Sequence, residues 1–538
     1  MRPGLSPSRQ QRLPAAVLAL LFVYWCVYVF SLSFVLGGQR YFTLLDDQMI
    51  SMRYASHIAS GHGAAWNIGE SPVEGFSNPL WMGAMTLVHL GPFSAAHVSL
   101  VVQLLSVVVL GATLWVGLVL LEEIIESRAH PFATVGFLVL AGTYAPILSW
   151  VLQGSEVGLV SLLIVASATV AVRSVSSGRF SALPHVIAAI ASLVRVDAAV
   201  PALAISGWMI LRQPELRWRH LKVVLPVIGA ALGIQTLLRL WIFGTPLPNT
   251  YYLKLTGFPI VTRLARGTVV FGDFVASALI VIAAAVAACK KPERLALLGV
   301  FCSCALYSIY VGGDAWEEWG GSNRYLTPAM PLLFVLAAAS VDRLARIRPM
   351  GDLAALVALL LMFITANGFA QGRGLRVISM KEKPLGAEAA QATVALGIAL
   401  RNCTAADSRI AVDWAGAIPY FSERHTEDLL AKSDPVVARE PMHLLPSAPL
   451  RTQFWPGHLK WDFERSIAMA KPDVVIVLTA GFPERVQPYL ARYATVGHLE
   501  GGVVAVRDGV SGTATVACIN DVMERQRSLP LRWTSGGR

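Results

Sequence analysis

Charge is what this 538-residue sequence has least of. Only 14% of its residues are Asp, Glu, Lys or Arg, against about 25% in ordinary soluble domains. Hydrophobic residues make up 55% and the mean hydropathy is +0.57. The chain also has no Gly-rich phosphate loop and no dinucleotide fingerprint, which disfavours a nucleotide-driven pump and direct use of a nucleotide sugar. Its six cysteines form no Cys/His metal cluster. Cys26, Cys289, Cys302 and Cys304 fall in apolar runs, where a thiol simply packs. Cys403 and Cys518 stand apart, near the C-terminal end, as a disulfide or as two buried thiols.

What is present is a succession of long apolar runs between positions 12 and 369. Each can cross roughly 30 Å of hydrocarbon as a helix. The first, Leu13 to Gly37, follows a basic amino-terminus and lacks a small-residue cleavage pattern, so it reads as an uncleaved helix. The net charge of +10 raises the question of nucleic acid. Its placement answers no, because the Lys and Arg residues gather in short loops between apolar runs. Those loops alternate with acidic and polar ones. The positive-inside rule then puts the N-terminus in the cytoplasm and the acidic loops outside. Counting gives about eleven spans and leaves the tail from 370 on the outer face. The expected fold is a polytopic α-helical membrane domain over 1–369, followed by an extracytoplasmic α/β domain over 370–538. Segments 182–194 and 197–211 are short. They read as two half-length helices meeting at Arg195-Val196-Asp197, the alternative being one long helix with a buried ion pair. Segment 79–91 suits an interfacial or re-entrant helix better than a span.

The outer loops carry the candidate chemistry. Asp46 and Asp47 follow closely on the first apolar run. They can cap a helix that continues through MISMRYASHI. Capping needs only one acid, and two adjacent acids repel unless something compensates them. That favours catalysis. On such a helix Asp46, Ile50 and Arg53 share one side, and Asp47, Ser51 and Tyr54 the next. The turn-rich stretch after it offers Trp66, Asn67, Glu70, Glu74 and Asn78 as sugar contacts, with an interfacial aromatic belt as the alternative. Charges deep among apolar runs are functional suspects. Glu156, Arg195 and Asp197 qualify. Arg195 either pairs with Asp197 or meets a phosphate. Tyr251 and Lys254 lie in TPLPNTYYLK, and Asp314 and Arg324 in YVGGDAWEEWGGSNRY. Arg324 either holds a phosphate through two hydrogen bonds or snorkels to the interface.

After Phe369, apolar strand-like runs at 409–416, 472–480 and 501–509 alternate with helix-like ones such as 382–402. That pattern argues an α/β domain. Trp414, in the turn after the first strand, and His458, in FWPGHLK, are candidate contacts to a glycan acceptor, with plain packing as the alternative.

The motif DDxxIxxRYAxxxxxGxGxxWNxGExxVEGFxNPLW, the segments GSEVGL and RVD, the pattern GGDxW…NRYLxP, and DWAG and PGH in the tail resemble one group of membrane enzymes. These are the GT-C glycosyltransferases, and within them the branch that includes bacterial terminal arabinofuranosyltransferases of the mycobacterial cell wall. The resemblance runs over nearly the whole chain. It implies a polyprenyl-phosphate sugar donor, with decaprenyl-phosphate-arabinose favoured, and a cell-wall polysaccharide or lipoglycan acceptor. It places the enzyme in a bacterial plasma membrane with its active site on the periplasmic side. It puts catalysis on Asp46 or Asp47 and donor-phosphate binding on Arg195, Lys254 or Arg324. A divalent cation sometimes sits at such phosphates, and this sequence has no metal signature of its own. A flippase for a lipid-linked glycan, or a non-catalytic envelope scaffold, are the rival classes.

Overall fold

The computed structural model describes residues 9–317, 323–347, 349–384, 386–445, 447–499, 501–509, 512–526 and 532–535. Among these, seven helices are long and apolar enough to cross a membrane: Leu13–Leu32, Val98–Ile125, Val157–Ser177, Pro214–Phe243, Ile260–Ala288, Pro292–Val311 and Thr327–Ala345. Two bent helix pairs raise the number to nine if each is one span. They are Pro131–Gly142 with Ala145–Val151, bent by 51°, and Gly351–Asn367 with Gly372–Ile378, bent by 101°. The chain is a polytopic α-helical membrane protein with seven to nine apolar spans among the described residues and a C-terminal α/β extension. The expected count of eleven is higher because it gave Leu183–Val194 and Ala199–Arg212 one span each. These helices have 12 and 14 residues, and at 1.5 Å per residue they reach only about 18–21 Å.

The chain divides into two compact units. The first comprises Met1–Ser31, Gln103–Gln235 and Ile260–Leu385. Prolines set many of its helix starts, at Pro131, Pro146, Pro184 and Pro292, since the first turn has no intrahelical partner for the missing N–H. The break between the two short helices falls where the sequence placed it. Arg195 is extended (φ −148°, ψ 133°), and a single 3-10 turn, Val196–Ala198, leads into the next helix.

The second unit comprises Leu32–Val102, Thr236–Pro259 and Gly386–Arg538. A boundary at 369 therefore does not separate the compact bodies, because the acid-bearing loop belongs with the tail. A short hairpin, β1 (Phe34–Leu36) with β2 (Gln39–Tyr41), precedes the helices Asp46–Ala59 and Pro79–His89. The tail adds a mixed sheet of β3 (Arg409–Val412), β4 (His425–Asp428), β5 (Val474–Val477), β6 (Tyr493–Leu499), β7 (Gly502–Arg507) and β8 (Arg532–Ser535). The order is β4-β3-β5-β7-β6-β8. β4, β3 and β5 run parallel, and the remaining pairings are antiparallel. All four residues of β5 are buried, as a central strand covered on both faces requires. β4 was not expected from the sequence. HTED consists of polar and charged residues and has no apolar alternation to mark it.

Cys403 and Cys518 form a disulfide between the helices Ala390–Cys403 and Gly512–Arg525. The two cysteines are 115 residues apart in sequence. Replacing Cys403 with Ser should destabilise the tail by about 2–5 kcal/mol, seen as a lower unfolding temperature in calorimetry of the detergent-solubilised protein.

Candidate active site

The helix Asp46–Ala59 begins with the acid pair, and Leu45 is its N-cap. Neither aspartate caps it through its side chain, contrary to the capping expectation. Both lie in the first turn, where negative charge suits the helix dipole. Their side chains take different work.

Asp46 holds the tail. Its Oδ1 accepts from the Ala417 N–H at 2.8 Å and its Oδ2 from the Gly416 N–H at 3.1 Å. Gly416 has to be glycine, because a Cβ there would collide with the Asp46 carboxylate and carbonyl. Burial pushes the Asp46 carboxyl up to about 6, against the lowering pull of Lys432 and these N–H groups.

Asp47 meets a cation instead. Its Oδ1 accepts from Lys432 Nζ at 2.7 Å. Sequence reasoning passed over Lys432, since a lysine in a polar tail loop looks like ordinary surface. Here its side chain is 10% exposed. Burial opposes its charge, but Asp47, Asp46 and Asp428 outweigh that and hold its pKa above the usual lysine value. Asp428, at the end of β4, accepts from the Leu430 and Ser433 N–H groups at 3.1 and 2.8 Å. Burial pushes its carboxyl up to about 6 as well.

The turn that presents Lys432 is strained and braced. Ala431 has φ 60°, a left-handed conformation costing a non-glycine residue roughly 1–2 kcal/mol. The Asn249 side-chain amide donates to the carbonyls of Ala431, Lys432 and Asp434 at 3.0, 3.0 and 3.2 Å. Asn249 opens the helix Asn249–Leu255, whose last turn carries Lys254. The Lys254 side chain runs against Gly457. His458 follows, buried, its ring stacked on Trp455 at 4.2 Å. Burial first, then the nearby Lys432 ammonium, push His458 down to about 3, so this imidazole is neutral. Lys254 and Asp47 also act on it electrostatically. Asp47, Lys432, Lys254 and His458 thus form one neighbourhood.

Most residues expected to form a sugar-binding wall are fasteners instead. Arg53 donates to the carbonyls of Trp66, Pro419 and Arg424 and to Asn67 Oδ1, at 2.6 to 3.2 Å. Asn67 pairs with both backbone groups of Thr426 in β4, and Trp66 Nε1 donates to the same carbonyl. Glu70 meets His425 at 2.6 Å. Together they cover the β4 edge of the sheet, which would otherwise present open pairing groups. The Tyr54 hydroxyl donates to Val73 O, and Asn78 accepts from Ser51. Glu74 forms a buried ion pair with Arg239 at 2.8 Å, and burial still raises its carboxyl to about 7. Trp414 Nε1 donates to Thr479. Tyr251 stacks edge-on against Tyr252 at 5.6 Å.

The other compact unit holds the remaining candidates. Arg195 donates to both oxygens of Asp197 at 2.9 and 2.8 Å and to Glu156 at 2.6 Å. Arg324 Nε donates to Asp314 at 2.8 Å and lies over the Trp150 ring. Both arginines line one cleft with Asp197, Cys304, Tyr307 and Tyr325. Among the described residues, no group of three or more His, Cys, Asp or Glu side chains converges in a metal-holding arrangement.

Residues 382–518 match a domain of unknown function (DUF8728). No curated protein matches the chain in sequence. Solved structures do match in three dimensions. ArnT from Cupriavidus metallidurans in the apo state superposes with a TM-score of 0.52 at 13% identity, over 91% of this chain and 97% of that one. The same protein bound to undecaprenyl phosphate gives 0.51 at 14% identity, with the same coverage. The archaeal oligosaccharyltransferase AglB from Archaeoglobus fulgidus, in complex with an inhibitory peptide and a dolichol-phosphate, gives 0.50 at 10% identity, over 92% of this chain and 74% of that one. The chain shares the overall fold of these structures. At these identities the likeness is one of architecture.

Lys432, itself buried, offsets three carboxylates, so Lys432→Met should cost about 3–5 kcal/mol. The folded pKa values of Asp46 and Asp428 lie above the unfolded 3.8. Folding therefore takes up protons between about pH 4 and 6, and these two groups favour the fold less as pH rises through that window. Removing Lys432 raises both values further. The penalty should be greatest near pH 8 and shrink as pH falls below about 6, which thermal unfolding at several pH values will show.

Proposed function

We propose that the protein transfers a sugar from a polyprenyl-phosphate donor to a hydroxyl of an envelope glycan. One observation carries this reading: within a GT-C fold, Asp47 lies at the head of a helix and is held by the buried Lys432. The matching structures of ArnT and AglB contain undecaprenyl phosphate and a dolichol-phosphate, which supports the same donor class here. The positive-inside pattern supports an active site on the outer face of a bacterial plasma membrane.

In this reading Asp47 takes the proton of the acceptor hydroxyl as that oxygen bonds to the anomeric carbon. Lys432 fixes the carboxylate in place. The bond from the anomeric carbon to the phosphate oxygen breaks, and its electron pair leaves with the polyprenyl phosphate. A phosphate leaving group needs no strong proton donor. Lys254 stabilises the charge gathering on it. Arg195 suits that task less, since its guanidinium is already bonded to Glu156 and Asp197. Asp46 touches no reacting atom, and its carboxylate positions the turn beside Asp47. The motif resemblance supports D-arabinofuranose as the sugar.

The test is mass spectrometry of products from the full chain in nanodiscs, given synthetic polyprenyl-phosphate sugars and arabinan, mannan and galactan oligomers. The native protein should add a pentose. Asp47→Asn should lose at least about a hundredfold in turnover, the lower range for a general base, while still binding donor. Transfer of a different sugar would overturn the arabinose assignment alone. Donor binding with no transfer would overturn the enzyme reading in favour of a transporter.

A further inference from the structure

The tail carries a second concave surface that the proposed reaction does not use. Its cavity volume is about 450 Å³, and it is lined by Glu440, His443, Trp461, Asp462, Arg485 and Tyr489, over a floor of Met442 and Phe463. That volume falls within the usual range for small-molecule sites.

Its construction is rigid beneath and polar around. Phe463, Phe482 and Val486 belong to the core of the sheet domain, and Trp461 and Tyr489 pack against that core with part of each ring left outside. His443 stacks on the Trp461 indole at 3.9 Å, with ring planes 14° apart. Its Nε2 lies 2.9 Å from the Trp461 carbonyl, and its backbone N–H donates to Leu459 O at 2.8 Å. The Arg485 guanidinium lies 4.8 Å from the Trp461 ring centre. The result is a layered aromatic platform flanked by two carboxylates and a guanidinium.

We infer that this groove is a glycan-binding site, which holds an oligosaccharide stretch of the acceptor away from the reacting end. The C–H faces of a sugar ring pack on aromatic surfaces, while carboxylates and guanidinium groups pair with vicinal hydroxyls. The mixed charge matters. Glu440 and Asp462 repel a polyanion, so nucleic acid and anionic lipid headgroups fit poorly. A neutral glycan satisfies both signs. The assignment of this glycan as the acceptor rests on the transfer reaction proposed above, whereas the binding site itself does not.

The experiment uses the full chain in nanodiscs, carrying Asp47→Asn so that no turnover intervenes. Equilibrium binding of fluorescently labelled arabinan, mannan and galactan hexasaccharides is measured for this protein. The same measurement follows with Trp461→Ala, and separately with Arg485→Ala, whose exposed side chain can be removed without opening the core. One hexasaccharide should bind, and each substitution should weaken it roughly tenfold, a loss of about 1.4 kcal/mol. With the native Asp47 restored, Arg485→Ala should raise KM for long acceptors and leave kcat and disaccharide KM unchanged. Failure of all three glycans to bind, or binding untouched by Arg485→Ala and Trp461→Ala, would overturn the groove. Binding that meets the expectation, with no sugar transfer by the native protein, would keep the groove and remove the transfer reaction.

Discussion

A buried ammonium among three carboxylates organises the second compact unit. Lys432 touches Asp47 directly and acts electrostatically on Asp46 and Asp428. Three acids of one sign in a desolvated space repel strongly. One cation near all three makes the arrangement tenable and decides how the acids divide their work. Asp46 and Asp428 spend their oxygens on backbone N–H groups. Asp47 is the one that shares its charge with the lysine. The strained Ala431 and the Asn249 amide that braces its turn belong to the same design, in which local backbone energy is offset by what the next side chain gains.

The polar loop that follows the acid pair shows how one residue set can serve a different purpose from the one its composition advertises. Trp66, Asn67 and Arg53 have the chemistry of sugar contacts. They use it on protein backbone, at the open edge of β4. Only the tertiary structure shows that an unpaired strand lies there, because β4 itself has no apolar alternation.

The sequence was informative where physics acts locally. Apolar length marked the membrane helices, and the break at Arg195 followed from two runs too short to cross. The acid pair was conspicuous because adjacent like charges need a reason. Pairings across hundreds of residues were not legible. Nothing in the neighbourhood of Lys432 or Asn249 announces Asp47 or the turn they support. Glu156, Arg195 and Asp197 stood out as deep charges, yet that one arginine meets both carboxylates depends on how helices fold together. Trp461 was also missed. It follows Lys460, whose ammonium is buried among the carbonyls of Tyr252 and Ala438 and the Thr256 hydroxyl, and nothing in the sequence separates the inward residue from the outward one.

The pairing of Asp47 with Lys432 spans 385 residues, and this has a consequence for biogenesis. The acid-bearing loop emerges early in synthesis, while its counter-ion emerges only after all the apolar helices have been made. Until then the two aspartates lack that cation, the β4 edge that Trp66 and Asn67 will cover does not exist, and the loop has nothing to fasten. The centre is completed by one late, long-range closure. A nascent chain still threading into the membrane therefore carries an unassembled centre, and maturation of the tail sets the moment at which it forms.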